Sequence, residues 1–400
     1  MQEPIPNNPL LQTERLAPTQ TKLLLGPTDV LARATRPAGI SAKRSPAEWT
    51  ASDWQQLAND RTDLFDEQAL AEQFDYANYL QDGYIVLKGI MTPQTIEAWT
   101  TALQDGQQLN DALLQSDWQQ IDWLGLGCEF PAQTLAPIAI ERALGNSQAI
   151  PQRDNEAGIL TLRRHSVLAE YFPAGHIPYL MGVLMHPQML SLQQMCLDSD
   201  AVYFDHNQLL TRAAGYAGGA WHSHRIGAGH DDCGIAAPNE YRAQPNANLC
   251  LFYPRGFAAK DDGGLKIIRG SHFFREPSDC QAATDEEMCA GWLKGRVHPV
   301  TGAPLAIEHL ELPPGSVVCC LSHAAHGVAA KAAYRKTRWC SLHCYKKADD
   351  KTGDVQPPSA VPPLWALKAQ RGELPDVLSE LLRPSFDRTL TGGRVEPHEI

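Results

Sequence analysis

Ala220-Trp221-His222-Ser223-His224-Arg225 and, a hundred residues on, Leu321-Ser322-His323-Ala324-Ala325-His326-Gly327-Val328 are the two stretches that decide how this chain reads. Side chains alternate faces along a strand, so His222 and His224 project to one side while Ser223 points to the other. Two imidazoles then face one cavity. A third nitrogen from a distant strand, with His326 as the candidate, completes three adjacent corners of an octahedron and leaves the others open to exogenous ligands.

The chain has 14 histidines, so a spaced pair alone says little; its surroundings say more. Residues 201–211 read as a strand, and the glycine-rich Ala214-Gly-Tyr-Ala-Gly-Gly219 delivers the chain into the pair through a turn. Downstream, Gly264-Leu-Lys-Ile-Ile-Arg-Gly-Ser-His272 reads as a short apolar strand closed by Gly-Ser. Leu312-Pro-Pro-Gly-Ser-Val-Val-Cys-Cys-Leu321 is a turn and a strand aimed at His326. In the strand Tyr334 to Tyr345, Arg338, Cys340, Leu342 and Cys344 share one face. A guanidinium among such neighbours calls for an anion, and a dicarboxylate suits its fork geometry.

Four pieces in this order resemble the phytanoyl-CoA dioxygenase family of Fe(II)/2-oxoglutarate oxygenases: Asp82-Gly-Tyr-Ile-Val-Leu-Lys-Gly-Ile-Met-Thr-Pro93, Trp221-His222-Ser-His224, Gly263 to His272, and Pro314-Gly-Ser through His326-Gly327 to Arg338. The match spans about residues 75–347. The resemblance implies an α+β, mainly β fold, the double-stranded β-helix (jelly roll, cupin-like) with packed helices. It further implies Fe(II) and 2-oxoglutarate as cofactor and cosubstrate, O₂ as oxidant and a small organic molecule as substrate. Hydroxylation is the expected outcome, with halogenation, desaturation and cyclisation open. By the same resemblance Arg338, twelve residues past His326, is the 2-oxoglutarate clamp, with Arg335 as runner-up. His323 is a weaker ligand candidate because the resembled pattern is His-Gly, and Val328 stands where a hydroxyl residue is common.

The departure is at the first motif, where the family's usual His-x-Asp is His222-x-His224. A carboxylate lowers the charge of Fe(II) by one unit, whereas a neutral imidazole leaves it unreduced. Either His224 ligates, or Asp231 or Asp232 supplies the carboxylate, or an exogenous anion fills the position; ligation by His224 is favoured. A three-histidine dioxygenase independent of 2-oxoglutarate and a non-catalytic jelly-roll binding protein are the competing readings.

Hydrophobic residues at 43% and charged residues at 20% describe an ordinary globular chain with ample core. A net charge of −12 speaks against nucleic acid, which needs a basic surface. No apolar run is long enough to span a membrane. Ten cysteines lie scattered without a CxxC, as suits buried thiols in a reducing cytoplasm. The basic, acid-poor stretch 10–46 leaves organelle targeting open.

Seven prolines in residues 1–46 read as an extended arm, 47–350 as the oxygenase domain and 351–400 as a C-terminal helical tail. Arm and tail dock on the domain or on a second copy, which leaves a homo-oligomer open. Helical patterning runs from Ser45 through Leu80, from Thr92 to Leu103 and from His176 to Leu192. Thr284 opens a capped helix to Lys294 within a long connection, a setting common for lids and binding loops. Trp292 and Arg296 on it are therefore substrate-contact candidates, while His272 reads as a structural histidine.

Overall fold

A computed structural model of the chain describes residues 46, 49–59, 62–114, 174, 177–212, 214–223, 247–257, 260–274, 282–336, 338–347, 368–369 and 371–391. The N-terminal arm, apart from Pro46, and most of the expected tail lie outside them.

The chain enters through three short helices, α1 (Ala51–Asn59), α2 (Glu67–Gln73) and α3 (Tyr76–Asp82). Sequence patterning predicts continuous helix here, but the chain restarts at two aspartates. Asp66 and Asp75 accept the backbone N–H of Ala69 and Asn78, each at 3.0 Å, satisfying donors that a new helix leaves open. Gly83 closes α3 at φ +82°, donating to Tyr79 O, and turns the chain into β1 (Tyr84–Leu87). Thr92 then caps α4 (Pro93–Leu114). The helix expected over 176–192 is two, α5 (Pro178–Met185) and α6 (Pro187–Leu197), because Pro187 carries no N–H and His186 before it is extended.

The strands follow: β2 (Val202–Arg212), β3 (Ala247–Tyr253) and β4 (Leu265–Ile268), then helix α7 (Asp285–Ala290). After it come β5 (Ile307–His309), β6 (Ser316–Leu321), β7 (His326–Val328), β8 (Arg338–Lys347) and helix α8 (Asp376–Thr391). Among the described residues, five strands make an antiparallel sheet in the order β1-β6-β3-β8-β2, and three make a second in the order β5-β4-β7.

Alternation divides the sheet residues between two cores. Leu249, Leu251 and Tyr253 of β3, Val318 and Cys320 of β6, and Cys340, Leu342 and Cys344 of β8 meet Leu265 and Ile267 of β4 in the space between the sheets. Cys250, Phe252, Val317, Cys319, Leu321 and Tyr345 point the other way, onto Trp99, Leu103 and the buried faces of α5, α6 and α8. A third, smaller cluster of Trp221, Ile268, Met288, Leu293, Leu305 and Ala325 covers the outer side of the small sheet. No helix among the described residues is long and apolar enough to cross a membrane.

Candidate metal and anion site

His222 and His326 are cross-strand partners. His222 N–H donates to His326 O at 3.0 Å and His326 N–H to His222 O at 2.9 Å, so the segment at 222 joins the small sheet beside β7. On the other side of β7, His326 is in register with Ile267, which lies in the core between the sheets. Both imidazoles therefore belong to the inward face, and their ring centroids are 4.3 Å apart.

Each ring is held in the same tautomer by its own backbone. His222 Nδ1 lies 3.1 Å from Ala220 O and His326 Nδ1 2.8 Å from Ala324 O. A carbonyl oxygen only accepts, so Nδ1 carries the hydrogen in both rings and Nε2 is the nitrogen that bears the lone pair, the tautomer that coordination through Nε2 requires. Burial, and then the neighbouring His222, pushes the His326 imidazolium down to about 3, which keeps that ring neutral near pH 7. His326 is buried, whereas His222 is exposed.

Arg338 opens β8 on the face that carries Cys340 and Leu342 toward the small sheet, and it is 5% exposed. Its guanidinium lies 5.5 Å from the ring centre of Tyr253 and 5.2 Å from that of Phe257. Nη2 donates to Gly263 O and Nε lies 3.4 Å from Asp262 O, while Nη1 is buried without a hydrogen-bond partner. Among the described residues no carboxylate pairs with it; Asp262, the nearest in sequence to these carbonyls, is held by Lys331. A buried cation with one unsatisfied nitrogen is what an anion site needs.

The expected third donor, His224, and its alternatives Asp231 and Asp232 lie outside the described residues. Among the described residues no group of three or more His, Cys, Asp or Glu side chains is arranged to hold a metal ion. Arg335 pairs with Asp261 at 2.7 Å near the surface. His323 lies beside His272, ring centroids 6.0 Å apart, and His272 is a buried structural histidine with Nε2 2.9 Å from Leu80 O. Since the partner is a carbonyl, His272 Nε2 is the donor.

Trp292 and Arg296 are not brought to this site. Trp292 packs beside Phe274 in the cluster on the outer side of the small sheet, and Arg296 stacks over both rings while donating from Nε to Trp292 O at 2.6 Å. The reason is parity: Trp221 and Ala325, one residue before each histidine, face that outer cluster, so the histidines face away from it.

Two features escaped sequence reasoning. Trp221 donates from Nε1 to Asp285 at 2.9 Å, and Asp285 also accepts from Lys266 at 2.5 Å and contacts His309 Nε2 at 2.9 Å, which anchors the strand from behind. Arg212 ends β2 directly opposite Arg338. Its only sequence signal is even spacing from Leu210, whose side chain faces the space between the sheets.

No protein-family model matches the chain and no curated protein matches it in sequence, so the resemblance to phytanoyl-CoA dioxygenases stays with the motifs that suggest it. Solved structures similar to it include the non-haem α-ketoglutarate-dependent epimerase SnoN from nogalamycin biosynthesis, at 12% identity over 71% of this chain and 82% of that one, TM-score 0.38. Another is the carbocyclase SnoK from the same biosynthesis, at 13% identity over 70% and 86%, TM-score 0.40. A third is HygX from Streptomyces hygroscopicus with nickel and 2-oxoglutarate bound, at 12% identity over 70% and 89%, TM-score 0.40.

Proposed function

We propose that this chain is an Fe(II)/2-oxoglutarate-dependent oxygenase of the double-stranded β-helix (jelly-roll) type acting on a small organic substrate. The observation that carries the reading is the meeting of His222 and His326 from remote segments, rings 4.3 Å apart, both with Nδ1 committed to a carbonyl. His224 is the third ligand in this reading. Arg338, buried and with no carboxylate partner among the described residues, receives the far carboxylate of 2-oxoglutarate. That unsatisfied guanidinium favours the reading over a three-histidine dioxygenase that needs no 2-oxoacid, for which a cation at this position has no use.

The iron would couple oxidative decarboxylation of 2-oxoglutarate by O₂ to oxidation of a substrate C–H bond, with hydroxylation the simplest outcome. The chain's part is geometric and electrostatic. The Ala220 and Ala324 carbonyls fix the two imidazoles in the ligating tautomer, and the Tyr253 and Phe257 rings keep water from the guanidinium that positions the cosubstrate. Buried reduced thiols at Cys250, Cys319, Cys320, Cys340 and Cys344 suit a cytoplasmic setting.

Anaerobic titration with Fe(II) and then 2-oxoglutarate tests the proposal. Wild-type protein should bind one iron and develop the visible charge-transfer band of a chelated 2-oxoacid, and His326→Ala should bind iron at least a hundredfold more weakly. Iron binding without any response to 2-oxoglutarate would leave the three-histidine dioxygenase, and no iron binding would leave a binding protein.

A further inference from the structure

Arg338 leans on two aromatic rings, and only one of them carries a polar atom. Its guanidinium carbon lies 5.2 Å from the ring centre of Phe257 and 5.5 Å from that of Tyr253, and the two rings meet edge to face with centroids 5.1 Å apart. Alternation along β3 fixes where the phenol is. Leu249, Leu251 and Tyr253 share the parity that faces the space between the sheets, and Tyr253, at the last position of the strand, is 2% exposed. Phe257 is held against Gly264, where a Cβ would come within 2.2 Å of its ring. The guanidinium thus lies against a packed wall with one hydroxyl in it.

Both polar groups at this wall are donors in want of an acceptor. Arg338 Nη1 is buried with no hydrogen-bond partner, and the Tyr253 hydroxyl makes no hydrogen bond among the described residues. Burial, and then the Cys340 thiol on the same face as Arg338, hold the phenol well above its ordinary value, and the opposing pulls of Arg338 and Arg212 do not reverse this. The hydroxyl therefore keeps its hydrogen. A phenol oxygen can accept from a guanidinium, yet Nη1 and Tyr253 do not pair here. Two unsatisfied donors on neighbouring side chains, one of them cationic, fit an acceptor with two oxygens and a negative charge.

We propose that Tyr253 is a second cosubstrate-binding residue: its hydroxyl donates to one oxygen of the carboxylate whose other oxygen takes Arg338 Nη1. That this carboxylate is the far one of 2-oxoglutarate rests on the reading above. The pair sets a preference for 2-oxoacids that end in a carboxylate. One ending in a methyl group would leave the guanidinium nitrogen and the phenol both unsatisfied.

The test compares 2-oxoglutarate with 2-oxopentanoate, which has the same chain length and chelating end but a methyl in place of the far carboxylate. Each is titrated anaerobically into the iron-loaded full chain, read by calorimetry and by the charge-transfer band. Tyr253→Phe removes one oxygen and keeps the ring; it should weaken 2-oxoglutarate about tenfold or more and leave 2-oxopentanoate within about twofold. Equal losses for both acids, or no loss, overturn the assignment. Should Tyr253→Phe fail to fold by circular dichroism, 3-fluorotyrosine placed at 253, a stronger donor of nearly the same shape, decides: tighter binding confined to 2-oxoglutarate supports the assignment, and no change overturns it. If wild-type protein shows a band with neither acid, the oxygenase reading fails and the role of Tyr253 with it; a wild-type band with an unaffected variant removes the role of Tyr253 alone.

Discussion

Gly83 shows how one residue position constrains a whole corner of the molecule. It stands at φ +82°, in the left-handed region, and a Cβ there would lie 2.3 Å from Nδ1 of the buried His272 ring. That ring is tied to Leu80 O, so it cannot swing away without losing a buried hydrogen bond. Gly83→Ala should therefore cost about 2–4 kcal/mol, left-handed strain and overpacking together, measured as a lowered urea midpoint at unchanged m. A midpoint within error of wild type would mean the His272 ring has room to move. At this scale the sequence was partly legible: His222, His326 and Arg338 announce themselves through parity and local motifs. Arg212 does not, because its meaning lies in a register with a strand 126 residues away that no local pattern reveals.

The elements were legible where alternation is strict and obscure where backbone geometry overrides it. The strand expected over 264–272 ends at Ile268, because Gly270 takes φ +76° and residues 271–273 wind into a 3-10 turn. The connection carrying α7 reads as a lid by length alone, yet the structure uses it as a brace behind the small sheet. Thr284 caps α7, accepting from Glu287 N at 3.1 Å while Glu287 reaches back to Ala283 N at 2.8 Å, which places Asp285 under Trp221 and Lys266. Asp285→Ala should strand the buried Lys266 ammonium and free the indole, lowering stability by about 1–3 kcal/mol after allowance for the carboxylate's partial exposure. If His222 holds iron as proposed, then because Trp221 immediately precedes it iron affinity should fall as well, several-fold, in a competition with a metal chelator. A stability loss with unchanged iron affinity would show that the brace does not position the ligand.

Taken as a whole, the molecule holds buried neutral histidines that acid must eventually charge. Burial, and after it the nearby His323 and His298, holds His272 well below the ordinary imidazole value. With the folded value depressed, the unfolded chain takes up the proton first, so stability is complete above about pH 6.5 and falls as pH drops below it, by up to about 1.4 kcal/mol per unit from this one group. Thermal or urea unfolding between pH 8 and 5 should show that slope, added to the one the depressed His326 contributes, and His272→Gln, which can still donate to Leu80 O, should lessen it without abolishing it. An unchanged slope in that variant would assign the acid sensitivity elsewhere. Helices packed on a β-rich body are what the family resemblance implies, and the structure supplies the physical reason: apolar residues in the strands fall on both parities and demand cover on both sides.

The backbone pairing of 222 with 326 also has a temporal side. On the ribosome, at roughly 5–20 residues per second, the second imidazole is made about 5–20 s after the first, and the small sheet cannot close around them until both exist. On the function proposed above, a growing polypeptide would thus offer no seat for redox-active iron during that interval, and loading would wait for a finished body that can hold the proposed oxidant chemistry away from half-built chain.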